Sequence, residues 1–133
     1  MGAKKGRIRW ELLEGDFRDR LAEAAAPDLV FFDPFSLHTD SELWTEDVFA
    51  QIFAKRAPEG CALYTYSVST AVRAALIKAG FRVARGAPTG PKTETTVGLS
   101  PEAILLYPEL PLIEGTRLAP LRKSVPETIE KIQ

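Results

Sequence analysis

The residues best suited to chemistry stand at the ends of apolar runs. The stretch "FFDPFSLHTDSELWT" at 31–45 carries two phenylalanines straight into Asp33-Pro34-Phe35. An aspartate ending so apolar a run stays charged only with a partner or at a solvent-facing crevice. Pro34 fixes the backbone there and removes an N–H, so the Asp33 carbonyl and carboxylate are both free to face outwards. Two readings stand side by side: a ligand contact at a strand tip, or an Asp-Pro turn followed by a helix cap. The acidic pair Glu14 and Asp16 ends a second apolar run, and Asp16 is either a helix cap or a ligand contact. A third run, "CALYTY" at 61–66, ends on Tyr66, Ser67 and Ser69. Tyr64 and Tyr66 alternate and point to one sheet face, with Tyr66 nearer the crevice.

The remaining candidates have plainer explanations. His38, the only histidine, shares a loop with Asp40 and Glu42, and a lone histidine among scattered carboxylates is weak evidence for a metal. No metal site is expected. Trp44 either stacks on a base or packs beside an amphipathic helix. Cys61 opens an apolar strand and reads as inert core. As the single cysteine it excludes an internal disulfide or a Cys-based zinc site, and suggests a reducing compartment. Lys92 and Glu94 follow a Gly/Pro loop, as a solvated pair or as substrate contacts. No nucleophile triad or paired-carboxylate hydrolase site stands out.

These residues need elements to hold them. "RIRWELLEG" (7–15) reads as a strand on the alternation of Ile8, Trp10 and Leu12. A helix follows from Asp16, with Phe17, Leu21 and Ala24 or Ala25 on one face, and Pro27 stops it. "DLVFFDP" (28–34) has the continuous apolar pattern of a parallel strand covered on both faces. Thr45 caps a helix bearing the stripe Val48, Phe49, Ile52 and Phe53. After the third strand, Ser67 or Ser69 caps a helix with Val72, Ala75, Leu76 and Ala79 on one face, and Gly80 ends it. "FRVARG" and "TETTVGLS" read as strands paired antiparallel, since no helix is available for a crossover. "EAILLY" reads as one more strand.

The alternation predicts a three-layer α/β/α sheet with right-handed crossovers. Four prolines from Pro108 onward mark an extended tail packing on the body, so the division expected is a domain at 1–107 and a tail at 108–133. At 133 residues there is room for one core, and a net charge of −1 provides no global field for nucleic acid or membrane. No apolar run approaches the length of a membrane span and no signal peptide opens the chain, so a cytoplasmic location is expected. The sequence contains no G-x-G-x-x-G and no Walker sequence.

In order along the chain, "DLVFFDPFS…SELWTEDVFAQI" and "PEGCALYTYSVSTAVRAALIKAGFRVARG…GPKTETTVG" form a pattern. It resembles the methyltransferase domain of the bifunctional tRNA 5-methylaminomethyl-2-thiouridine biosynthesis proteins (MnmC-like), over roughly residues 9–98. The resemblance implies a Rossmann-type S-adenosyl-L-methionine-dependent enzyme that methylates the exocyclic amine of 5-aminomethyl(-2-thio)uridine at the tRNA wobble position. It makes "ELLEGD" the third strand of the methyltransferase sheet. The first strands and the glycine-rich turn of the family have no counterpart, so the fold expected is α/β, a partial Rossmann-like methyltransferase sheet. On this resemblance Glu14, Asp16 and Asp33 meet the cofactor, Asp16 at the adenine amino group. Asp33 is also catalytic. Pro34, Phe35, Trp44 and Tyr66 meet the uridine, and Lys92 meets tRNA phosphate. Two other functions stay open: a methyltransferase-like remnant that acts as an interaction or dimerisation module, and methylation of another small amine.

Overall fold

The computed structural model describes residues 6–34, 41–88, 90–91 and 93–113. Its elements are α1 (Phe17–Arg20), β1 (Leu29–Phe31), α2 (Glu46–Lys55), β2 (Ala62–Thr65), α3 (Thr70–Ala79), β3 (Arg82–Gly86) and β4 (Thr95–Leu99). Short 3-10 turns follow α1 (Leu21–Glu23) and precede α2 (Ser41–Leu43), and a longer 3-10 helix (Pro101–Leu106) follows β4.

The two long helices form where local chemistry directs them. The Thr45 hydroxyl accepts from the Val48 N–H at 3.4 Å, and Glu46 and Asp47 occupy the first turn of α2, at the positive end of its dipole. Val48, Phe49 and Ile52 are buried, as their spacing predicts. In α3 the buried side comprises Ala71, Val72, Ala74, Ala75 and Leu76. Gly80 closes α3 at φ 121°, against the Phe53 ring, where a β-carbon would come within 2.8 Å.

The sheet order is β1-β2-β4-β3. β1 and β2 are parallel, and β4 runs antiparallel to both β2 and β3. The antiparallel pairing expected of the last two strands is therefore present. The carboxyl ends of β1, β2 and β3 consequently gather at one end of the sheet, together with the start of β4. One face packs Leu63, Val83 and Phe32 against Trp44, Phe49, Ile52, Val72 and Leu76 of the helical side. The other packs Ala62, Ala84, Val97 and Leu99 under Ala103 of the 3-10 helix, with Tyr107, Leu110 and Leu112 at its margin.

Four expectations are corrected. Residues 7–15 carry no sheet pairing, and Ile8, Trp10 and Leu12 are 79–93% exposed. Alternation alone does not make a strand: its N–H and C=O groups need a neighbour, and none of the described strands lies beside this segment. The helix from Asp16 is only one turn plus a 3-10 turn, because the chain is already extended at Ala24 (φ −74°, ψ 154°) on its way to β1. β1 is covered on one face only: Phe32 just beyond it is buried, whereas Leu29 and Phe31 are exposed. Finally, "EAILLY" belongs to a 3-10 helix rather than a strand. Pro101 sits in its first turn, where a missing N–H costs nothing, and only Ala103 is buried. The segment covering the 3-10 helix's face of the sheet runs on through Ile113, and the rest of the expected 108–133 tail, from residue 114, lies outside the described residues.

Candidate functional site

Asp33 sits just past the tip of β1, beside the tip of β2. Its Oδ1 accepts from the Thr65 hydroxyl at 3.2 Å and from the Tyr66 N–H at 2.9 Å. Thr65 is buried, so its hydroxyl needs this partner. Parallel pairing of Phe31 with Tyr64, continued by the Phe32 N–H on the Tyr64 carbonyl at 2.8 Å, is what brings the two tips together. Among the described residues Oδ2 receives no hydrogen bond. The carboxylate is thus held by one oxygen and offers the other, at an exposed position. Oδ1 serves the turn, and the ligand-contact reading of Asp33 concerns Oδ2.

Asp16 caps α1, accepting from the Arg18 N–H at 2.9 Å. The Arg18 side chain folds back on the same carboxylate, with Nε 3.0 Å from Oδ1 and Nη2 2.8 Å from Oδ2. These bonds hold the Asp16 carboxyl at about 2, well below the ordinary aspartate value. A carboxylate offers about four lone-pair sites. Among the described residues three are used, and the fourth lies on Oδ2. A depression of about 440 Å³ opens beside this pair, lined by Arg18, Ser41, Glu42, Thr45, Asp47, Val48 and Gln51. Asp33 is not among the residues that line it.

The structure adds a polar cluster that the sequence reading missed. Arg73, on the first turn of α3, places Nε 2.9 Å from the Thr96 hydroxyl and Nη2 2.6 Å from Glu94. The Thr96 hydroxyl in turn donates to the Ser67 carbonyl. Thr95, its neighbour in β4, donates to the Ala87 carbonyl at 2.9 Å. Successive strand residues face opposite sides, so these two threonines fix the loops after β2 and after β3 respectively. Glu94 thus pairs with Arg73, while Lys92 lies outside the described residues. The Arg73 guanidinium holds its carboxyl below the ordinary range, with Arg85 3.8 Å away adding to the effect. Polar residues at the start of a wholly buried strand were the available clue.

The other candidates separate. Glu14 is exposed beside Asp16, and Pro34 is half-buried beside Asp33. Tyr66 is half-exposed at the β2 tip, while Tyr64 packs into the far-side core. Trp44 is 5% exposed and meets Phe32 edge-to-face at 5.3 Å, which makes it a support beneath the β1 tip. Cys61 is buried, and burial pushes its thiol up to about 11, as befits an inert core cysteine. Phe35, His38 and Lys92 lie outside the described residues. Among the described residues no cluster of histidine, cysteine or carboxylates is arranged to hold a metal, and no helix is long and apolar enough to cross a membrane.

Known proteins give this geometry a context. The curated tRNA 5-methylaminomethyl-2-thiouridine biosynthesis bifunctional protein MnmC of Ralstonia nicotianae is 36% identical over 97 residues, which cover 72% of this chain and 15% of that protein. Its counterpart in Pseudomonas putida W619 is 35% identical over 95 residues, 71% of this chain and 14% of that protein. The crystal structure of MNMC2 from Aquifex aeolicus superposes with a TM-score of 0.65 at 33% identity, covering 83% of this chain and 34% of that one. The chain thus spans about a seventh of the length of those curated relatives. The mixed four-stranded α/β sheet is a partial Rossmann-like methyltransferase fold. Residues 1–101 match the family model described as S-adenosyl-L-methionine-dependent methyltransferase, and the chain belongs to that family.

Proposed function

We propose that this chain carries the catalytic C-terminal half of a methyltransferase acting on the exocyclic amine of 5-aminomethyl(-2-thio)uridine at the tRNA wobble position. The observation that carries the reading is Asp33, fixed through Oδ1 by Thr65 and Tyr66, with no hydrogen bond to Oδ2 among the described residues. Similarity to the MnmC proteins, whose name states the tRNA product, supplies the substrate class.

The described residues fit part of the cofactor. Asp16 retains an acceptor site suited to the adenine amino group, with Glu14 beside it, and Asp33 stands at the methyl side. When bound, S-adenosyl-L-methionine supplies an electrophilic methyl on a sulfonium centre. The chain's own task is to aim a neutral amine. Asp33 Oδ2 accepts one amine N–H, directs the nitrogen lone pair at the methyl and takes up the charge that develops on nitrogen. A carboxylate is a far weaker base than an aliphatic amine, so its role is aiming more than proton abstraction. Tyr66, Pro34 and Phe35 form the uridine wall, with Trp44 supporting it from the core. Lys92 meets tRNA phosphate.

The test is transfer of labelled methyl from S-adenosyl-L-methionine to tRNA bearing 5-aminomethyluridine. The expected result is label on that amine and none on tRNA lacking the aminomethyl group. No transfer, together with no binding of S-adenosylhomocysteine at millimolar concentration, overturns the reading for this chain alone.

A second reading, an interaction module, is favoured by one observation. Ile8, Trp10 and Leu12 are exposed in alternation, and Leu29 and Phe31 are exposed on β1, the outermost strand of the described sheet. On this reading two copies associate through that apolar surface. Sedimentation velocity should then show a dimer that Trp10→Glu disrupts; a monomer at all concentrations excludes it.

A further inference from the structure

We infer that Arg73 and Thr96 are positioning residues for the Asp33 carboxylate, acting through the loop that follows β2. The inference rests on the reading of Asp33 given above. Asp33 Oδ1 is bound on one side by the Thr65 hydroxyl and on the other by the Tyr66 N–H. The direction of the carboxylate therefore depends on where the backbone at Tyr66 lies. That backbone is fixed one residue later, where the Ser67 carbonyl accepts from Thr96. Thr96 is fully buried in β4, a position where an apolar side chain would serve packing equally well. Its hydroxyl is used twice, donating to Ser67 and accepting from Arg73 Nε at 2.9 Å. Without those partners a buried hydroxyl would be destabilising.

Arg73 completes the arrangement. Its side chain is 13% exposed, and its Nη2 binds Glu94 at 2.6 Å, so Nε is held on Thr96 by a second, charged anchor. Thr65 reinforces the same loop by accepting from the Ser67 N–H at 3.4 Å. An unbroken path thus runs from Glu94 through Arg73, Thr96, Ser67 and Tyr66 to Asp33 Oδ1. Its effect is to leave Oδ2 alone facing the ligand. Lysine at 73 would keep the charge on Glu94 and lose the second arm, since an ammonium lacks the fork.

The test reads the carboxylate directly and needs neither cofactor nor turnover. In the 15N-labelled chain, the Tyr66 amide proton should shift as Asp33 titrates, and Asp33→Asn should abolish that shift. Thr96→Val, which keeps the shape of the side chain, and Arg73→Lys should each reduce its amplitude at least about twofold, because hydrogen bonds weaken steeply with distance and angle. Ser100→Ala, which removes the hydroxyl that accepts from the Cys61 N–H at 2.9 Å at the opposite end of β2, should leave the amplitude unchanged. An unchanged amplitude in both Thr96→Val and Arg73→Lys overturns the inference. So does an equal loss in Ser100→Ala, which would mean general loosening of the sheet. If Arg73→Lys does not fold, Thr96→Val decides alone. Because the readout is independent of methyl transfer, this inference and the proposed function fail separately.

Discussion

Each end of the sheet carries an arginine–carboxylate pair, and the two pairs do different work. At the end where β2 begins, Arg56 forks onto Glu102 with contacts of 3.0 and 3.2 Å while lying 3.9 Å over the Phe53 ring. Beside it the Ser100 hydroxyl accepts from the Cys61 N–H. These bonds tie the 3-10 helix to the end of α2. At the carboxyl end, Arg73 pairs with Glu94, and the bonds continue through Thr96 and Ser67 to the loop that grips Asp33. The chemistry of the two pairs is alike, and so is their partial burial. What differs is the direction of the strands, which brings three carboxyl termini to one end only. In open α/β sheets ligands bind beyond those termini.

The comparison breaks most easily at Asp33. Asparagine there keeps an oxygen for Thr65 and Tyr66 and replaces Oδ2 with an amide donor, so the fold should persist. Methyl transfer should fall by ~100-fold or more in a turnover assay, the scale of a lost aiming or acid–base group. Ser100→Ala at the opposite end should leave turnover per folded molecule as it was. Equal losses from both would erase the distinction between the ends.

The next largest effect falls on stability at the end where β2 begins. Gly60 has φ 126°, and a β-carbon there would lie 2.7 Å from the Ala103 backbone nitrogen. Gly60→Ala should therefore cost roughly 1–3 kcal/mol in urea unfolding, with no change in affinity for S-adenosylhomocysteine. A weakened affinity at matched folded fraction would show that this end communicates with the crevice.

The smallest effect is on acid stability. Hydrogen bonding to Arg56 lowers Glu102 from 4.5 to about 2, and Arg73 lowers Glu94 in the same direction. Both carboxyls titrate lower folded than unfolded, so each contributes stability that is lost on acidification; for Glu102 the contribution is complete above pH 4.5 and is lost as pH falls towards 2. The gap in urea midpoint between the natural chain and Glu102→Gln should thus narrow over that window. A gap independent of pH would mean that the pair contributes packing rather than charge.

These particulars show which parts of the molecule its sequence displays. α2 was readable because everything that makes it is local: a threonine cap, two acids in the first turn and an apolar stripe at helical spacing. Asp33 was readable because a charge ending an apolar strand has few explanations. The Arg73–Glu94 pair was not, since 21 residues separate its members and only the packing of α3 beside β4 brings them together. The strand expected at 7–15 failed for a related reason. Alternation lies within a segment, whereas a ladder of hydrogen bonds belongs to two. The 3-10 helix at Pro101–Leu106 shows the limit of short apolar runs, which suit a strand or a helix equally until the neighbours decide.

The central claim is that a ligand crevice lies at the carboxyl end of this sheet. Adding S-adenosylhomocysteine to the 15N-labelled chain and mapping the amide shifts tests it directly. The account predicts shifts at Glu14, Asp16, Arg18, Asp33 and Tyr66, with Cys61, Ser100 and Ala103 unmoved. Shifts confined to that second group, or none at millimolar ligand, would contradict it.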